Sequence, residues 1–328
     1  MSNVLSVFKN KKGKSSFEPK AYGIELCRGV GFDYTTQVGD YGIEIEVEGT
    51  GLPGNIPNWV RHDDNSLRGG SEYVTDGAVS KAQAIANVSS LFDTFTFTGT
   101  RLNNSYRTST HVHVNMRSVK VNTMAAFVAL WGMFEDVLAA WCGPTRAGNL
   151  FSLRMSDSSY AVDGWIRGFK TGDFSYSRDM RYLALNPACL RTLGTLEIRL
   201  MRAVENVGEF EKWIEAIDRI KTHAGTYSDP SIIGVDFSTL GGIGFLETVF
   251  AGLPILDELL AVDNAGQLVR DGYRRIQPIL YVIPWASVLP EIEKVYVPNP
   301  FGALKPKIKR IFLDNVPPMA WEAEDAFG

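Results

Sequence analysis

The run from Tyr41 to Gly49 alternates between apolar and acidic residues. Successive side chains of a β-strand point to opposite faces of the sheet, so this pattern predicts a strand with one apolar and one acidic face. The apolar set is Ile43, Ile45 and Val47, and the acidic set is Glu44, Glu46 and Glu48. Carboxylates on one strand face repel each other unless water or cations separate them. Taken alone, the strand is typical of the solvated edge of a sheet.

Three later runs of strand-forming composition carry side chains that bind metals or anions. They are residues 71–74 with Glu72, residues 110–115 with His111 and His113, and residues 194–199 with Glu197 and Arg199. The two histidines are two positions apart and therefore share one strand face. Together with the acidic strand, these runs predict a single acidic, metal-loaded sheet face.

Apolar residues spaced by three and four positions predict helices elsewhere in the chain. Helices are predicted over residues 80–92 with Ser80 as N-cap, over 122–141, over 210–220 and, as a short helix, over 253–260. Further strands are predicted over residues 94–100, 181–186, 195–200 and 281–284. Residues 145–180 are rich in Gly, Ser, Asp and Arg and are predicted to form loops.

Residues 49–54 satisfy the pattern G-x-G-x-x-G, which in dinucleotide-binding proteins opens a helix at its last glycine. Pro53 lies inside this segment, Pro57 follows it, and no helical period begins. The segment is predicted to be a turn, and a Rossmann-type nucleotide site is excluded.

The composition is that of a soluble globular protein, with 45% hydrophobic and 21% charged residues in a chain of 328. The net charge of −4 argues against a general nucleic-acid binder, since such proteins carry a basic excess. The three cysteines share no short spacing and suggest reduced thiols. The most apolar stretch, residues 124–142, is broken by Glu135 and Asp136, which disfavours a membrane span. No signal peptide is visible, so the expected location is cytoplasmic, with no membrane partner.

The chain is expected to divide into three segments. Residues 1–20 carry five lysines among polar residues and are predicted to be a flexible basic tail. Residues 21–225 contain the candidate site residues and are predicted to be the catalytic domain. Residues 226–328 contain ten of the fifteen prolines and few catalytic residue types. They are predicted to be a C-terminal extension that packs on the catalytic domain or binds a partner.

The acidic face predicts a site for divalent cations. Mg²⁺ and Mn²⁺ prefer oxygen ligands, and Mn²⁺ tolerates a histidine better than Mg²⁺ does. Arg199 shares a strand face with Glu197, and an arginine beside a metal cluster indicates an anion such as phosphate between them. Metals and arginines around a phosphate are the components of phosphoryl transfer. No Walker A sequence is present, so a P-loop is excluded.

The order of these motifs resembles the amidoligase family of carboxylate–amine ligases, which are distant relatives of glutamine synthetase and glutamate–cysteine ligase. The matching segments, spread over residues 40–222, are Gly42-x-Glu44-x-Glu46, Asp64-x-Ser66, Glu72-Tyr73-Val74, Thr110-His-Val-His-Val114, Arg181-Tyr182-x-x-x-Asn186 and Thr195-x-Glu197-Ile-Arg199. The resemblance implies an α+β fold. Its expected form is a curved antiparallel β-sheet, a glutamine-synthetase-like half-barrel, with helices packed on its outer face.

The resemblance also implies ATP and Mg²⁺ (or Mn²⁺) on the concave face of that sheet. ATP would phosphorylate a substrate carboxylate, and an amine would displace phosphate from the acyl phosphate to form an amide. The implied metal ligands are Glu44, Glu46, Glu72, His111 and Glu197. The residues implied near the nucleotide are His113, Glu48 and Asn115, and the catalytic candidates are Arg199, Arg181 and Asp64.

The implied substrates are an amine and a carboxylate carried by a small molecule, a peptide or a protein, with no nucleic acid involved. A homo-oligomer or a protein partner is expected through the C-terminal extension. Two features depart from the family. Residues 75–78 replace a Ser/Pro-rich continuation after Glu72, and residues 226–328 have no counterpart.

Two other functions stay open from the sequence. A metal-dependent hydrolase would use the His-x-His strand for zinc, although only His62 and His223 remain to complete a histidine-rich centre. An inactive ligase-like scaffold would be a structural or interaction protein that acts through its proline-rich end. Bound ATP with Mg²⁺ would support the ligase, and zinc bound by the histidines would support the hydrolase. A protein that binds no ligand would support the scaffold.

Overall fold

In the computed structural model, the strands of the described residues form one open sheet in which all neighbouring strands are antiparallel. The strands are β1 (Tyr41–Thr50), β2 (Trp59–His62), β3 (Gly70–Thr75), β4 (Arg101–Leu102), β5 (Ser109–Asn115), β6 (Leu185–Asn186) and β7 (Thr195–Arg202). They lie in the order β2–β3–β1–β5–β7–β6, and β4 pairs with the end of β1. Because β1 is a central strand, its interpretation as a solvated sheet edge is wrong.

The structure describes residues 39–116, 119, 121–171, 178–282 and 285. The tail predicted for residues 1–20 and the end of the predicted C-terminal extension lie outside these residues. The helices within them are α1 (Lys81–Phe97), α2 (Val121–Cys142), α3 (Ser159–Thr171), α4 (Cys189–Thr192), α5 (Val207–Ala224), α6 (Ile232–Phe250), α7 (Ile255–Leu260) and α8 (Ala265–Tyr281). Short 3₁₀ turns cover Pro144–Arg146 and Arg178–Tyr182. The predicted α+β class and antiparallel sheet are confirmed.

One face of the sheet is apolar and packs on helices. Ile43, Ile45 and Val47 of β1 are each 0% exposed. α1 packs on β1, α2 packs on β7, and α5 contacts both of these helices. Since side chains alternate along a strand, burying this apolar set directs the acidic set of β1 to the opposite face.

α2 is apolar on most of its surface, and the elements around it bury nearly all of its length. α5 and α8 both pack on it. The approach of α8 requires a glycine, because a Cβ at Gly272 would lie 2.3 Å from the carbonyl oxygen of Met133. Side chains of α6, α7 and α8 belong to the same hydrophobic core as the sheet. The helices after residue 225 thus share the core of the predicted catalytic domain.

Two helical segments are long and apolar enough, by length and composition alone, to cross a membrane: Asn122–Cys142 and Ile232–Phe250. The fold buries 89% of the first segment and 39% of the second. The burial of the first is that of a core helix in a soluble protein. The cytoplasmic location stays a prediction.

The four predicted helices are confirmed as α1, α2, α5 and α7, with ends that differ by a few residues. Ser80 caps α1 as predicted, since its hydroxyl oxygen accepts a hydrogen bond from the Gln83 N–H at 3.2 Å. As predicted, no helix begins at residue 54, but residues 49–50 are the end of β1, so only residues 51–54 form an irregular connection.

The strand predicted over residues 94–100 is wrong, because α1 continues through its first half. The Thr94 hydroxyl donates to the Ser90 carbonyl at 2.8 Å, so the threonine is satisfied within the helix. Phe95 is buried, and its ring centroid lies 5.4 Å from that of Tyr73 on the sheet. Tertiary packing of this phenylalanine therefore overrides the local strand preference of the run.

Three other boundaries differ from the predictions. Residues 145–180 are not all loop, because α3 lies within them and buries Trp165 and Phe169. Of residues 181–186, only β6 is a strand, since a 3₁₀ turn precedes it. The strand predicted over residues 281–284 is wrong at its first residue, because α8 ends there, and residues 283–284 lie outside the described part of the chain.

Candidate metal centre on the sheet

The acidic face of the sheet is buried rather than solvated. Glu46 and Glu48 are each 5% exposed, and the Glu44 side chain is 20% exposed. Carboxylates removed from water need hydrogen-bond donors, cationic side chains or metal ions as partners. The contacts of this face therefore decide what it can bind.

Strand pairing aligns the predicted ligands in rows across four strands. The directly facing pairs are Glu46 with Glu72, Glu44 with His111, and His113 with Glu197. Facing residues of antiparallel strands point to the same side of a sheet. Pairing register thus brings motifs that are far apart in the sequence onto one surface.

Both histidines contact Glu44. Its Oε2 lies 3.0 Å from His111 Nδ1, and its Oε1 lies 2.9 Å from His113 Nε2. The remaining nitrogens face hydroxyls, with His111 Nε2 2.7 Å from Ser109 Oγ and His113 Nδ1 2.9 Å from Thr195 Oγ1. Each imidazole ring is therefore fixed in orientation by contacts at both of its nitrogens.

Glu197 is the second centre of the network. Its Oε1 forms an ion pair with Arg199 and lies 3.3 Å from His111 Nδ1. Its Oε2 accepts hydrogen bonds from Asn186 Nδ2 at 2.6 Å and from the Cys189 thiol at 3.2 Å. This carboxylate thereby joins β7 to β5, β6 and α4.

Arg199 is held in place by backbone contacts as well as by Glu197. Its Nε–H donates to the Phe151 carbonyl at 3.1 Å. Behind it, the buried Arg146 donates to the carbonyls of Arg199 and Leu200. Backbone carbonyl and carboxylate contacts thus position the guanidinium of Arg199 beside Glu197.

The pKa values of two neighbouring carboxylates, Glu72 and Glu44, are shifted in opposite directions by different causes. Burial, followed by the charges of Glu44 and Glu46, raises the pKa of Glu72 to about 8. Burial also raises the pKa of Glu44, but the charge of His113 and hydrogen bonds from both histidines outweigh it and hold that pKa well below its usual range. Near neutral pH a proton on Glu72 therefore relieves repulsion that a divalent cation could relieve instead.

His113 and Arg199 supply positive charge to this network. Burial lowers the pKa of His113, but the neighbouring Glu44 carboxylate reverses this effect and raises it to about 9. Burial raises the pKa of Glu197, yet Arg199 and the two histidines bring it below its ordinary value. Ion pairs among these side chains hold the face together, and cations bound there would rearrange them.

Three overlapping sets of side chains have their ligand atoms within 4.8 Å of one another. The sets are Glu44–His111–Glu197, Glu46–Glu72–His111 and His113–Cys189–Glu197. The first two sets offer carboxylate oxygens and one imidazole, which suit Mg²⁺ or, better, Mn²⁺. The donor types and the crowding of carboxylates on this face both fit divalent cations.

Two of the predicted catalytic residues have their main contacts elsewhere. Arg181 is exposed, donates to the Tyr182 hydroxyl and has its guanidinium 4.5 Å from the centre of that ring. Within the described part of the chain, no hydrogen bond or ion pair joins Arg181 to the carboxylates. Asp64 accepts a hydrogen bond from the Ser66 N–H at 2.7 Å, and its charge helps to raise the pKa of Glu72. Asp64 therefore lies at the border of the site.

Glu48 and Asn115, predicted near the nucleotide, both stabilise local backbone. Glu48 Oε1 accepts a hydrogen bond from the Arg68 N–H at 2.8 Å. Asn115 Nδ2 donates to the Gly39 carbonyl at 3.0 Å, next to the start of β1. Glu48 also lines an open cavity of about 530 Å³, together with Arg68 and Arg101. The role of Glu48 and Asn115 in nucleotide binding stays a prediction.

Three residues at the site, Ser109, Asn186 and Cys189, were assigned no function from the sequence, although Asn186 belongs to one of the matching motif segments. Ser109 could have been found, because it precedes His111 by two positions and shares its strand face. Asn186 and Cys189 reach Glu197 only because β6 pairs with β7 in antiparallel register. That pairing carries no signal in the local sequence.

The carboxylates and histidines are donor types suited to divalent cations, and the guanidinium of Arg199 is a group suited to anions. Neither property by itself identifies a reaction or a family. A scan against protein-family models finds no match for this chain, and a search of the curated proteins finds none either.

Proposed function

We propose that this protein is an ATP-dependent carboxylate–amine ligase that forms an amide through an acyl phosphate. One observation carries the proposal: four carboxylates, two histidines and an arginine from β1, β3, β5 and β7 form one contact network on a single buried sheet face. Such a face combines metal ligands with a phosphate-binding cation, as phosphoryl transfer requires. The order of the sequence motifs supports the same family.

The divalent cations would be held by Glu44, Glu46, Glu72, His111 and Glu197. When bound, Mg²⁺ or Mn²⁺ neutralises and orients the phosphates of ATP. Burial places these carboxylates close together, and a proton on Glu72 and the two histidines offset part of their repulsion. Divalent cations would offset the rest. His111 and His113, fixed through both ring nitrogens, keep Glu44 oriented toward the centre.

Arg199 would neutralise the phosphoryl group during its transfer to the substrate carboxylate. Its guanidinium is already oriented by Glu197 and by the Phe151 carbonyl. A guanidinium presents a planar fork of donors, so further N–H groups remain for phosphate oxygens.

The proposal also includes the curvature of the sheet into a half-barrel. The antiparallel sheet with helices on its apolar face is compatible with a glutamine-synthetase-like half-barrel whose open face holds the nucleotide. The substrates would be an amine and a carboxylate on a small molecule, peptide or protein. A screen of amine and carboxylate pairs for release of ADP and phosphate would identify them.

Glu46→Gln tests the proposal directly. The substitution keeps the hydrogen bond from Ser109 but removes one buried charge. Affinity for Mn²⁺–ATP, measured by calorimetry, is expected to fall more than about tenfold. Without metal, the variant is expected to unfold at a higher temperature, because the charge of Glu46 no longer raises the pKa of Glu72 and ionising Glu72 in the folded state costs less.

Glu211→Gln is the matched control, since Glu211 is an exposed residue of α5 and the substitution removes the same charge. It should leave both measurements unchanged. Unaltered Mn²⁺–ATP binding in Glu46→Gln, or no binding to the wild-type protein, would sink the ligase proposal. Zinc binding without ATP binding would favour the hydrolase. If the protein binds neither ATP nor a metal ion, the inactive scaffold would be favoured.

A further inference from the structure

We propose that His113, Cys189 and Glu197 form a binding site for a thiophilic transition-metal ion of the Zn²⁺ or Co²⁺ type. This site lies on the same sheet face as the positions for Mg²⁺ or Mn²⁺, but it differs from them in donor chemistry. It does not require ATP to be the substrate, and it stands or falls separately from the ligase proposal.

The three ligand atoms lie close enough to share one ion. A sulfur, an imidazole nitrogen and a carboxylate oxygen are all within 4.8 Å of one another, and the Cys189 Sγ is 3.2 Å from Glu197 Oε2. Ligands at roughly 2.0–2.3 Å from a tetrahedral ion are about 3.3–3.8 Å apart. Closing the set around an ion therefore needs shifts on the order of 1 Å.

Neighbouring groups already orient these ligands. Thr195 Oγ1 lies 2.9 Å from His113 Nδ1, and Glu44 Oε1 lies 2.9 Å from His113 Nε2, so neighbours at both nitrogens hold the imidazole ring. Asn186 Nδ2 donates to Glu197 Oε2 at 2.6 Å. Metal-binding histidines and carboxylates are usually supported by hydrogen bonds of this kind. The support comes from β6 and β7, which are joined by strand pairing and so form a firm base.

Cys189 differs from the other described cysteine in its surroundings. Cys142 is fully buried in α2, and its thiol faces the sulfur of Met201 at 3.4 Å, as in an ordinary core position. Cys189 is partly exposed, begins α4 and points its thiol at a carboxylate. A thiol among potential ligands is the donor that separates soft from hard cations.

The donor set also predicts the coordination. One sulfur, one nitrogen and one oxygen from the protein leave a fourth position for water or substrate, the arrangement of reactive rather than structural zinc sites. Mg²⁺ has little affinity for sulfur, so the sheet face would sort two kinds of ion into neighbouring positions. Glu197 would link them, since it belongs to both kinds of set.

Absorption spectroscopy of the Co²⁺-loaded full-length protein tests this site. After removal of metals by a chelator, titration with Co²⁺ is expected to give a sulfur-to-cobalt charge-transfer band. Cys189→Ser is expected to reduce the band to baseline and to weaken Co²⁺ binding about tenfold or more. Cys142→Ala, the matched control, is expected to retain it. Zn²⁺ should displace Co²⁺ at equal concentration, whereas a large excess of Mg²⁺ should not.

The absence of the band in the wild-type protein, its persistence in Cys189→Ser, or displacement by Mg²⁺ as readily as by Zn²⁺ would each overturn the proposal. Circular dichroism of Cys189→Ser checks that the variant is folded. Glu46→Gln separates the two proposals, because Glu46 is outside the thiol-containing set. That variant is expected to keep the band while losing affinity for Mn²⁺–ATP, and loss of its band would contradict the separate site.

Discussion

At the scale of single residues, the central question is what Arg199 does beside Glu197. The pair is largely buried and lies near two other carboxylates, Glu44 and Glu46, so one interpretation is that Arg199 only neutralises charge. The second donor contact, from Arg199 Nε to the Phe151 carbonyl, fixes the plane of the guanidinium. A fixed plane orients the N–H donors toward the oxygens of a phosphoryl group during its transfer. Charge neutralisation alone would not require a fixed plane.

Arg199→Lys is expected to keep the ion pair but lose the fork of donors. Turnover, measured as ADP release with an active substrate pair, should fall by at least about a hundredfold. ATP affinity should change by less than about threefold, because the loss is felt mainly in the transition state. Arg202→Lys is the control, since Arg202 lies on the same strand and pairs with Glu209. Near-wild-type turnover in Arg199→Lys would remove Arg199 from the mechanism.

At the scale of elements, α6 is interrupted at Gly241, whose backbone conformation is accessible without strain only to glycine. Gly241 has φ 68° and ψ −178°, a backbone conformation that other residues avoid. A Cβ there would meet no atom within 4 Å, so any cost of a substitution comes from the backbone and not from a clash. Gly244, in the same helix, has ordinary helical geometry and room for a Cβ, whose nearest neighbour is the Leu240 Cβ at 3.5 Å.

Gly241→Ala is expected to lower the free energy of unfolding by about 1–3 kcal/mol. Gly244→Ala is expected to raise it by about 0.5–1 kcal/mol, because alanine has less backbone freedom to lose on helix formation. Denaturant unfolding of both variants measures the contrast. Equal stabilities would mean that the interruption of α6 is not a fixed feature of the fold.

The element scale also explains why one predicted strand is a helix. Threonine and phenylalanine alternate over residues 94–98, which locally favours a strand. The run nevertheless follows a capped helix without a break, and Phe95 continues the buried stripe formed by Val88 and Leu91. The helical period of the longer segment, anchored on the core, therefore outweighs the alternation of the shorter one.

At the scale of the whole molecule, a buried polar cluster joins α2, a loop and α8. Glu135 is 0% exposed and accepts hydrogen bonds from Trp131 Nε1 at 2.9 Å and from the Met155 N–H at 2.5 Å. Next to it, Asp136 accepts from Arg154 at 3.1 Å and from Arg275 at 2.9 Å. The fold supplies hydrogen-bond and ion-pair partners for these two acidic residues, which interrupt the apolar run of α2 in the sequence.

Glu135 makes stability depend on pH. Burial raises its pKa to about 8 from an ordinary value of 4.5, so the folded protein holds this proton to a higher pH than the unfolded chain does. The contribution is fully present below about pH 4.5 and is lost as the pH rises to about 8. The free energy of unfolding of the wild type minus that of Glu135→Gln should therefore decrease over this range.

Unfolding in denaturant at a series of pH values measures this difference and cancels groups that titrate in both proteins. The same comparison with Glu211→Gln should be flat, since that side chain is exposed. A difference that stays constant between about pH 5 and about pH 8 would contradict an uncharged Glu135 in the folded state.

The sequence by itself determined the local features of this protein. Alternation in β1 separated its apolar face from its acidic face, and spacing by three and four identified α1, α2, α5 and α7. These features depend on contacts between residues close in the chain. For the same reason, Ser80 was recognisable as a helix cap, and the two histidines as neighbours on one strand face.

Only the tertiary structure decided which strands are neighbours. β1 lies at the centre of the sheet because β3 and β5 pair on its two sides, which buries carboxylates that looked like a solvated edge. Pairing of β6 with β7 brings Cys189 to Glu197 and adds a thiol that no local pattern announced. Packing of α8 on α2 likewise joined the described part of the segment after residue 225 to the common core. Such long-range contacts depend on the burial of whole faces, which is a property of the folded chain and not of any short segment.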